Sequence, residues 1–254
     1  MYTQIMGLET RYEIHGEGAP VLILPGWMSS IEAMQPVANA VAELGMQAIS
    51  LDFPGFSKSE EPKEAWGVEE YAAFTRAFVE KMDIVGCDVI CHSFGGRVTI
   101  LLASEDTHLF GRLVLVDAAG IRPKRGLKWY VRTYSYKFIK LLARVPLFNR
   151  MLRFDERRKN AGSSDYRALK SETMRAVFVK VVNLDLTDRL ERIQNPTLLI
   201  WGSADTSTPL YMANIMEKRI PNAGLAVFEG AGHFSYVDQY PRFCAVLAAF
   251  FTAE

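Results

Sequence analysis

Asp88-Val89-Ile90-Cys91-His92-Ser93-Phe94-Gly95-Gly96-Arg97 decides the fold of this 254-residue chain. Val89 and Ile90 read as a short buried strand, and Val98, Ile100, Leu101 and Leu102 as the helix that follows. With no loop between strand and helix, the chain has to turn tightly. Ser93 then sits at the apex in a strained backbone conformation, its Oγ lifted clear of the sheet. Gly95 suits its place because a side chain two residues on would collide with the strand. The new helix aims its first unpaired N–H groups, that of Phe94 among them, at whatever Ser93 attacks.

This stretch resembles the nucleophile elbow of the α/β-hydrolase family, G-x-S-x-G, with Cys91 in place of the first glycine. A thiol is small enough to make that a modest steric compromise. The rest of the chain supplies the context that so short a motif needs.

Length allows two domains or one larger α/β domain, and a hydrophobic content of 49% implies a substantial core. Charges balance at 29 basic and 29 acidic residues, which argues against a nucleic-acid binder. The three cysteines, Cys87, Cys91 and Cys244, lack CxxC spacing and read as reduced thiols. Met1 to Arg11 shows no signal pattern, and no run approaches the roughly 18 apolar residues of a membrane span. The expectation is a cytoplasmic, soluble protein.

Val21 to Leu24 is a continuous apolar run, as expected of a strand covered on both faces, and Pro25-Gly26-Trp27 follows it. Val37 to Leu44 has helical spacing with Gly45 as its cap, and Gln47 to Leu51 reads as the next strand. Tyr71, Phe74, Phe78 and Met82 mark an amphipathic helix over 68–82. Leu113 to Asp117, Pro196 to Trp201 and Leu225 to Phe228 read as further strands, and Tyr240 to Phe251 as a closing helix. Strands alternating with helices predict one open, mostly parallel sheet with helices on both faces. Ligands of such sheets bind beyond the carboxyl ends of the strands, where Trp27, Ser93 and Asp117 all fall.

From Ala118 to about Asp185 the strands stop. Residues 120–160 hold thirteen Lys and Arg against two acids, about +11, so the rest of this neutral chain carries about −11. Three readings stand open: an amphipathic lid with solvated cations, an anionic substrate or acidic partner steered by the field, or docking on an anionic membrane surface.

The family resemblance runs over essentially the whole chain. It implies an α/β-hydrolase core at 1–118 and 186–254 with a helical cap at 119–185. Gly202-Ser203-Ala204-Asp205-Thr206-Ser207-Thr208-Pro209 resembles the family's G-x-x-D-x-x-x-P acid loop, and Gly230-Ala231-Gly232-His233 its G-x-G-H loop. The implied triad is Ser93, Asp205 and His233, in the chain order of this fold. A serine hydroxyl needs a base, an imidazole titrates near neutrality, and a carboxylate holds the other ring nitrogen. Asp117 is the rival acid. Asp52, in a loop resembling D-x-P-G-x-G-x-S, is implied to be structural, and His92 to have no catalytic role.

The oxyanion donors implied are the backbone N–H groups of Trp27 and Phe94. Trp27, Trp129, Tyr130 and Tyr134 are candidates for lining the substrate pocket, with Trp27 as a plain core residue the alternative. No metal site and no phosphate-binding glycine loop is present in the sequence, and the resemblance implies a cofactor-free enzyme. A small-molecule ester is the expected substrate, cleaved through an acyl-enzyme. Hydrolysis of a carbon–carbon bond in a ring-cleavage product, with the same triad, is the alternative, and a non-catalytic receptor a third reading. The Pro25-Gly26-Trp27 loop is similar to the His-Gly-Trp of a family branch that demethylates carrier-protein esters, so an acidic carrier protein is a conceivable partner of the basic stretch.

Overall fold

A computed structural model describes residues 1–124, 131, 134–135 and 164–252. Trp129, Tyr130 and all of the basic 120–160 stretch except 120–124, 131 and 134–135 lie outside the described residues.

Eight strands form one sheet: β1 (Tyr2–Ile5), β2 (Leu8–His15), β3 (Pro20–Leu24), β4 (Gln47–Leu51), β5 (Cys87–His92), β6 (Phe110–Val116), β7 (Thr197–Gly202) and β8 (Ala223–Phe228). Their spatial order is β1-β2-β4-β3-β5-β6-β7-β8. Pairing is antiparallel at β1/β2 and β2/β4 and parallel from β4 through β8. The described helices are α1 (Gln35–Glu43), α2 (Val68–Lys81), α3 (Phe94–Glu105), α4 (Ser164–Ala168), α5 (Glu172–Val182), α6 (Tyr211–Arg219), α7 (Ser235–Asp238) and α8 (Tyr240–Thr252). Among the described residues no helix is long and apolar enough to cross a membrane.

Period-two alternation sends successive strand residues to opposite faces, and the core divides accordingly. Leu22, Leu24, Val89, Cys91, Leu113 and Leu115 pack with α2, α3 and α5. Their neighbours Val21, Ile23, Ile90, Val114 and Val116 pack with α1 and α8. Both faces being covered explains why these strands read as continuous apolar runs.

Three elements, β1, α6 and α7, escaped the sequence reading. The hairpin β1–β2 turns at Met6 and Gly7, with φ of 50° and 78°. Methionine is not a residue that announces such a turn, which favours Asn-Gly or Asp-Gly. α6 and the single-turn α7 lie in the stretches that follow the Asp205 and His233 loops, where no helical spacing was read.

Register aligns the carboxyl ends of the central strands. Leu24 pairs with Cys91, His92 with Val116, Val116 with Ile200, and Gly202 with Phe228. The loops carrying Trp27, Ser93, Asp117, Asp205 and His233 therefore leave the same edge of the sheet in that spatial order.

Candidate active site

Only Ser93 separates β5 from α3, and it takes φ 46° and ψ −108°. A non-glycine residue there costs about 1–3 kcal/mol and persists only where its surroundings enforce it. They do. The Ser93 N–H donates to Val116 O at 3.1 Å, and its carbonyl accepts from Gly96 at 2.9 Å and Ala119 at 2.8 Å. A Cβ on Gly95 would lie 2.6 Å from Leu24 O, so the collision predicted from sequence is with β3, the neighbouring strand. A Cβ on Gly96 would lie 2.6 Å from the Ala118 Cβ.

Cys91 fits without disturbing this turn. Its thiol is fully buried in the core, where burial pushes it up to about 12 against the opposing Thr99 hydrogen bond. It stays protonated and offers no competing nucleophile.

His233 Nε2 lies 3.0 Å from Ser93 Oγ, and His233 Nδ1 lies 2.8 Å from Asp205 Oδ2. A carboxylate only accepts, so the ring proton belongs on Nδ1, and Nε2 accepts the Ser93 hydroxyl. Asp205 is itself well held. Its Oδ1 accepts the N–H groups of Ser207 at 2.7 Å and Thr208 at 3.0 Å, and Thr208 Oγ1 sits 2.7 Å from Oδ2. Burial pushes this carboxyl up, but the hydrogen bonds from His233 and Thr208 outweigh it and the net shift is downward. It is ionised at neutral pH.

The loop after β3 lies against Ser93: a Cβ on Gly26 would meet the Ser93 Cβ at 3.4 Å, and Pro25 O accepts the Gly95 N–H at 3.1 Å. The backbone N–H groups of Trp27 and Phe94 have no hydrogen-bond partner among the described residues, which leaves both donors free for an oxyanion. The Trp27 indole packs edge-on against Phe56 and Phe94, at centroid distances of 5.1 and 5.5 Å, and against Phe178 of α5 at 5.3 Å. Its buried Nε1 has no acceptor among the described residues. Tyr134 is 62% exposed.

A family model described as alpha/beta hydrolase fold matches residues 19–240. The chain belongs to the α/β-hydrolase family. A 2-hydroxy-6-oxo-6-phenylhexa-2,4-dienoate hydrolase of Burkholderia cepacia is 27% identical over 263 residues, covering 92% of this chain and 89% of the relative. Among solved structures, a bromoperoxidase from Bacillus anthracis superposes with a TM-score of 0.78 at 20% identity, each chain covered in full. An esterase from Exiguobacterium antarcticum gives 0.77 at 19% identity and 99% coverage of both chains. At these identities the structural likenesses describe the fold alone.

Two members of this α/β-hydrolase site were not assigned a part from sequence. His92 is 2% exposed, and burial, reinforced by the neighbouring His233, holds it down at about 4. As a neutral ring it donates from Nε2 to His233 O at 2.8 Å and so fixes the backbone that carries His233. Thr208 touches both Asp205 Oδ2 and Asp117 O. The signal for Thr208 was available, because an aspartate followed by Ser and Thr two and three residues later is an Asx-turn pattern. Asp52 accepts the Ile31 N–H at 2.8 Å and pairs with Arg11, a structural part as the resemblance implied. Asp117 makes no contact with the His233 ring; its Oδ1 and Oδ2 accept backbone N–H groups of Gly202 and Ser235.

Proposed function

We propose that this α/β-hydrolase family member cleaves carboxylic esters of small to medium acyl compounds through an acyl-enzyme. The observation that carries the reading is the hydrogen-bonded line Ser93 Oγ–His233–Asp205, at 3.0 and 2.8 Å, on a strained elbow. Ser93 Oγ attacks the carbonyl carbon as its proton passes to His233 Nε2. The Trp27 and Phe94 N–H groups stabilise the oxyanion; losing one such donor costs about 3 kcal/mol. Collapse expels the alkoxide, which takes the proton from Nε2. Water then attacks the acyl-enzyme with His233 again as base, releasing the acid and free Ser93. Asp205 stays ionised and stabilises the imidazolium.

A second reading is hydrolysis of a carbon–carbon bond in an oxygenated dienoate, supported by the Burkholderia relative's name and by one feature of this chain. The Trp27 Nε1–H is buried without an acceptor among the described residues, in the loop after β3. A buried unpaired donor costs about 1–3 kcal/mol, and a substrate oxygen a few bonds from the scissile carbonyl would satisfy it.

One experiment tests both. A fluorophosphonate label is followed together with turnover of p-nitrophenyl esters of increasing chain length and of a dienoate diketone, with Ser93→Ala alongside. Stoichiometric labelling that is lost in Ser93→Ala, with ester turnover peaking at one chain length, is expected. Turnover confined to the diketone selects the second reading, and an unlabelled, inert wild type rejects both.

A further inference from the structure

β6 runs between the strand β5 that precedes Ser93 and the strand β7 that precedes Asp205, and the first residue beyond its end at Val116 is Asp117. Its side chain is fully buried and its φ is 44°, left-handed for a non-glycine residue like that of Ser93. Burial pushes its carboxyl up to about 6 against the opposing hydrogen bonds from Ser235 and Gly202. A neutral side chain would avoid that cost of burying a charge, so the carboxylate calls for a reason beyond packing.

The contacts give one. Asp117 Oδ1 accepts the N–H of Gly202 at 2.9 Å, three residues before Asp205. Oδ2 accepts the N–H of Ser235 at 3.0 Å, two residues after His233. Its main-chain oxygen lies 2.9 Å from Thr208 Oγ1, and its N–H donates to Ile200 O at 2.9 Å. The adjacent residues hold the elbow, through Val116 O to the Ser93 N–H and the Ala119 N–H to Ser93 O. A single carboxylate therefore ties the acid loop to the histidine loop, on a strand end already fixed to the nucleophile.

We propose that Asp117 is a positioning residue for the triad: its ionised carboxylate, by accepting one N–H from each loop, sets the placement of His233 against Asp205 and Ser93. Two oxygens, each with lone pairs and no proton, are what two separate N–H donors require. An amide or a protonated carboxyl keeps the shape but loses one good acceptor, so one loop is released. The ionisable groups that interact with Asp117 are Asp205 on the acid loop and Tyr236 on α7, whose hydroxyl burial and Asp117 together push up to about 12. The proposal rests on the serine-hydrolase reading above. An unlabelled wild type would mean that reading has failed, whereas failure of this proposal leaves the wild type labelled.

The test is Asp117→Asn, read per active site by counting fluorophosphonate-labelled protein. Expected is a fall in labelling rate and in kcat of about 10- to 100-fold with KM unchanged, the scale of a misplacement of about 1 Å. The downfield proton resonance of His233 Nδ1 shifts in the same variant, which a purely structural anchor away from the triad would not cause. Wild-type kcat, labelling rate and resonance in a folded Asp117→Asn overturn the proposal. So does an inactive Asp117→Asn beside an active Asp205→Asn, which would make Asp117 the triad acid itself. Should Asp117→Asn not fold, the wild type still decides. The Gly202 and Ser235 amide resonances are expected to shift together as pH falls through about 6, and the labelling rate to fall with them. A labelling rate that stays constant while those two amides shift overturns the proposal.

Discussion

At the scale of single residues, the hydrogen-bonded line Ser93–His233–Asp205 depends on neighbours outside it. Gly26 shows how closely they are fitted: a Cβ there would stand 2.7 Å from His92 Nδ1. His92 in turn donates to the His233 carbonyl. Gly26→Ala therefore pushes the His92 ring, and the push passes to the backbone of His233. The expected result is a folded protein whose kcat on an accepted ester is down by about 10- to 100-fold. Steady-state kinetics beside a thermal melt checks it, and an unaltered kcat would show that His92 has room to yield.

At the scale of elements, the elbow helix α3 also holds the end of α5. Arg97 on the second turn of α3 is 5% exposed, and its guanidinium donates to the carbonyls of Val182 and Leu184, at and just beyond the end of α5. Those carbonyls have no partner further along the helix, and a cation suits a helix C-terminus on electrostatic grounds as well. Arg122 adds donors to Asn183 O. α5 buries Met174, Val177 and Val181 in the main core, and its Phe178 lies on the Trp27 indole. Arg97→Met keeps the apolar stem and strands the carbonyls, so a loss of about 2 kcal/mol is expected. In a chain of this size that lowers Tm by about 4–8 °C. A melting curve measures it, and an unchanged Tm would mean the end of α5 finds other donors.

For the whole molecule, pH acts on stability through groups whose protonation differs between folded and unfolded chains. Asp205 is held below the usual carboxylate range, so it stabilises above the unfolded carboxylate range and is lost as pH falls through its folded pKa. Asp117 acts the opposite way. Its carboxyl is raised to about 6, so the folded chain binds a proton more tightly than the unfolded one. That contribution is whole below about pH 4 and is lost as pH rises through about 6. The difference in Tm between wild type and Asp117→Asn should therefore move against the wild type as pH goes from 4 to 6.5. A difference constant over that window would show that Asp117 titrates normally in the folded chain.

The sequence by itself determined the parallel sheet, the elbow and the three loops that bear Ser93, Asp205 and His233. Those features are local: apolar runs covered on both faces, a turn with no loop, short loops after strands. The β1–β2 hairpin was hidden because Met6 adopts a left-handed conformation with no propensity to signal it. Only the tertiary structure decided between Asp205 and Asp117. Both follow strands at the same sheet edge, and sequence spacing cannot say which carboxylate reaches an imidazole 28 or 116 residues further on. Strand order sets β7 beside β8, which brings Asp205 Oδ2 to 2.8 Å from His233 Nδ1, and leaves the Asp117 carboxylate between two backbone donors.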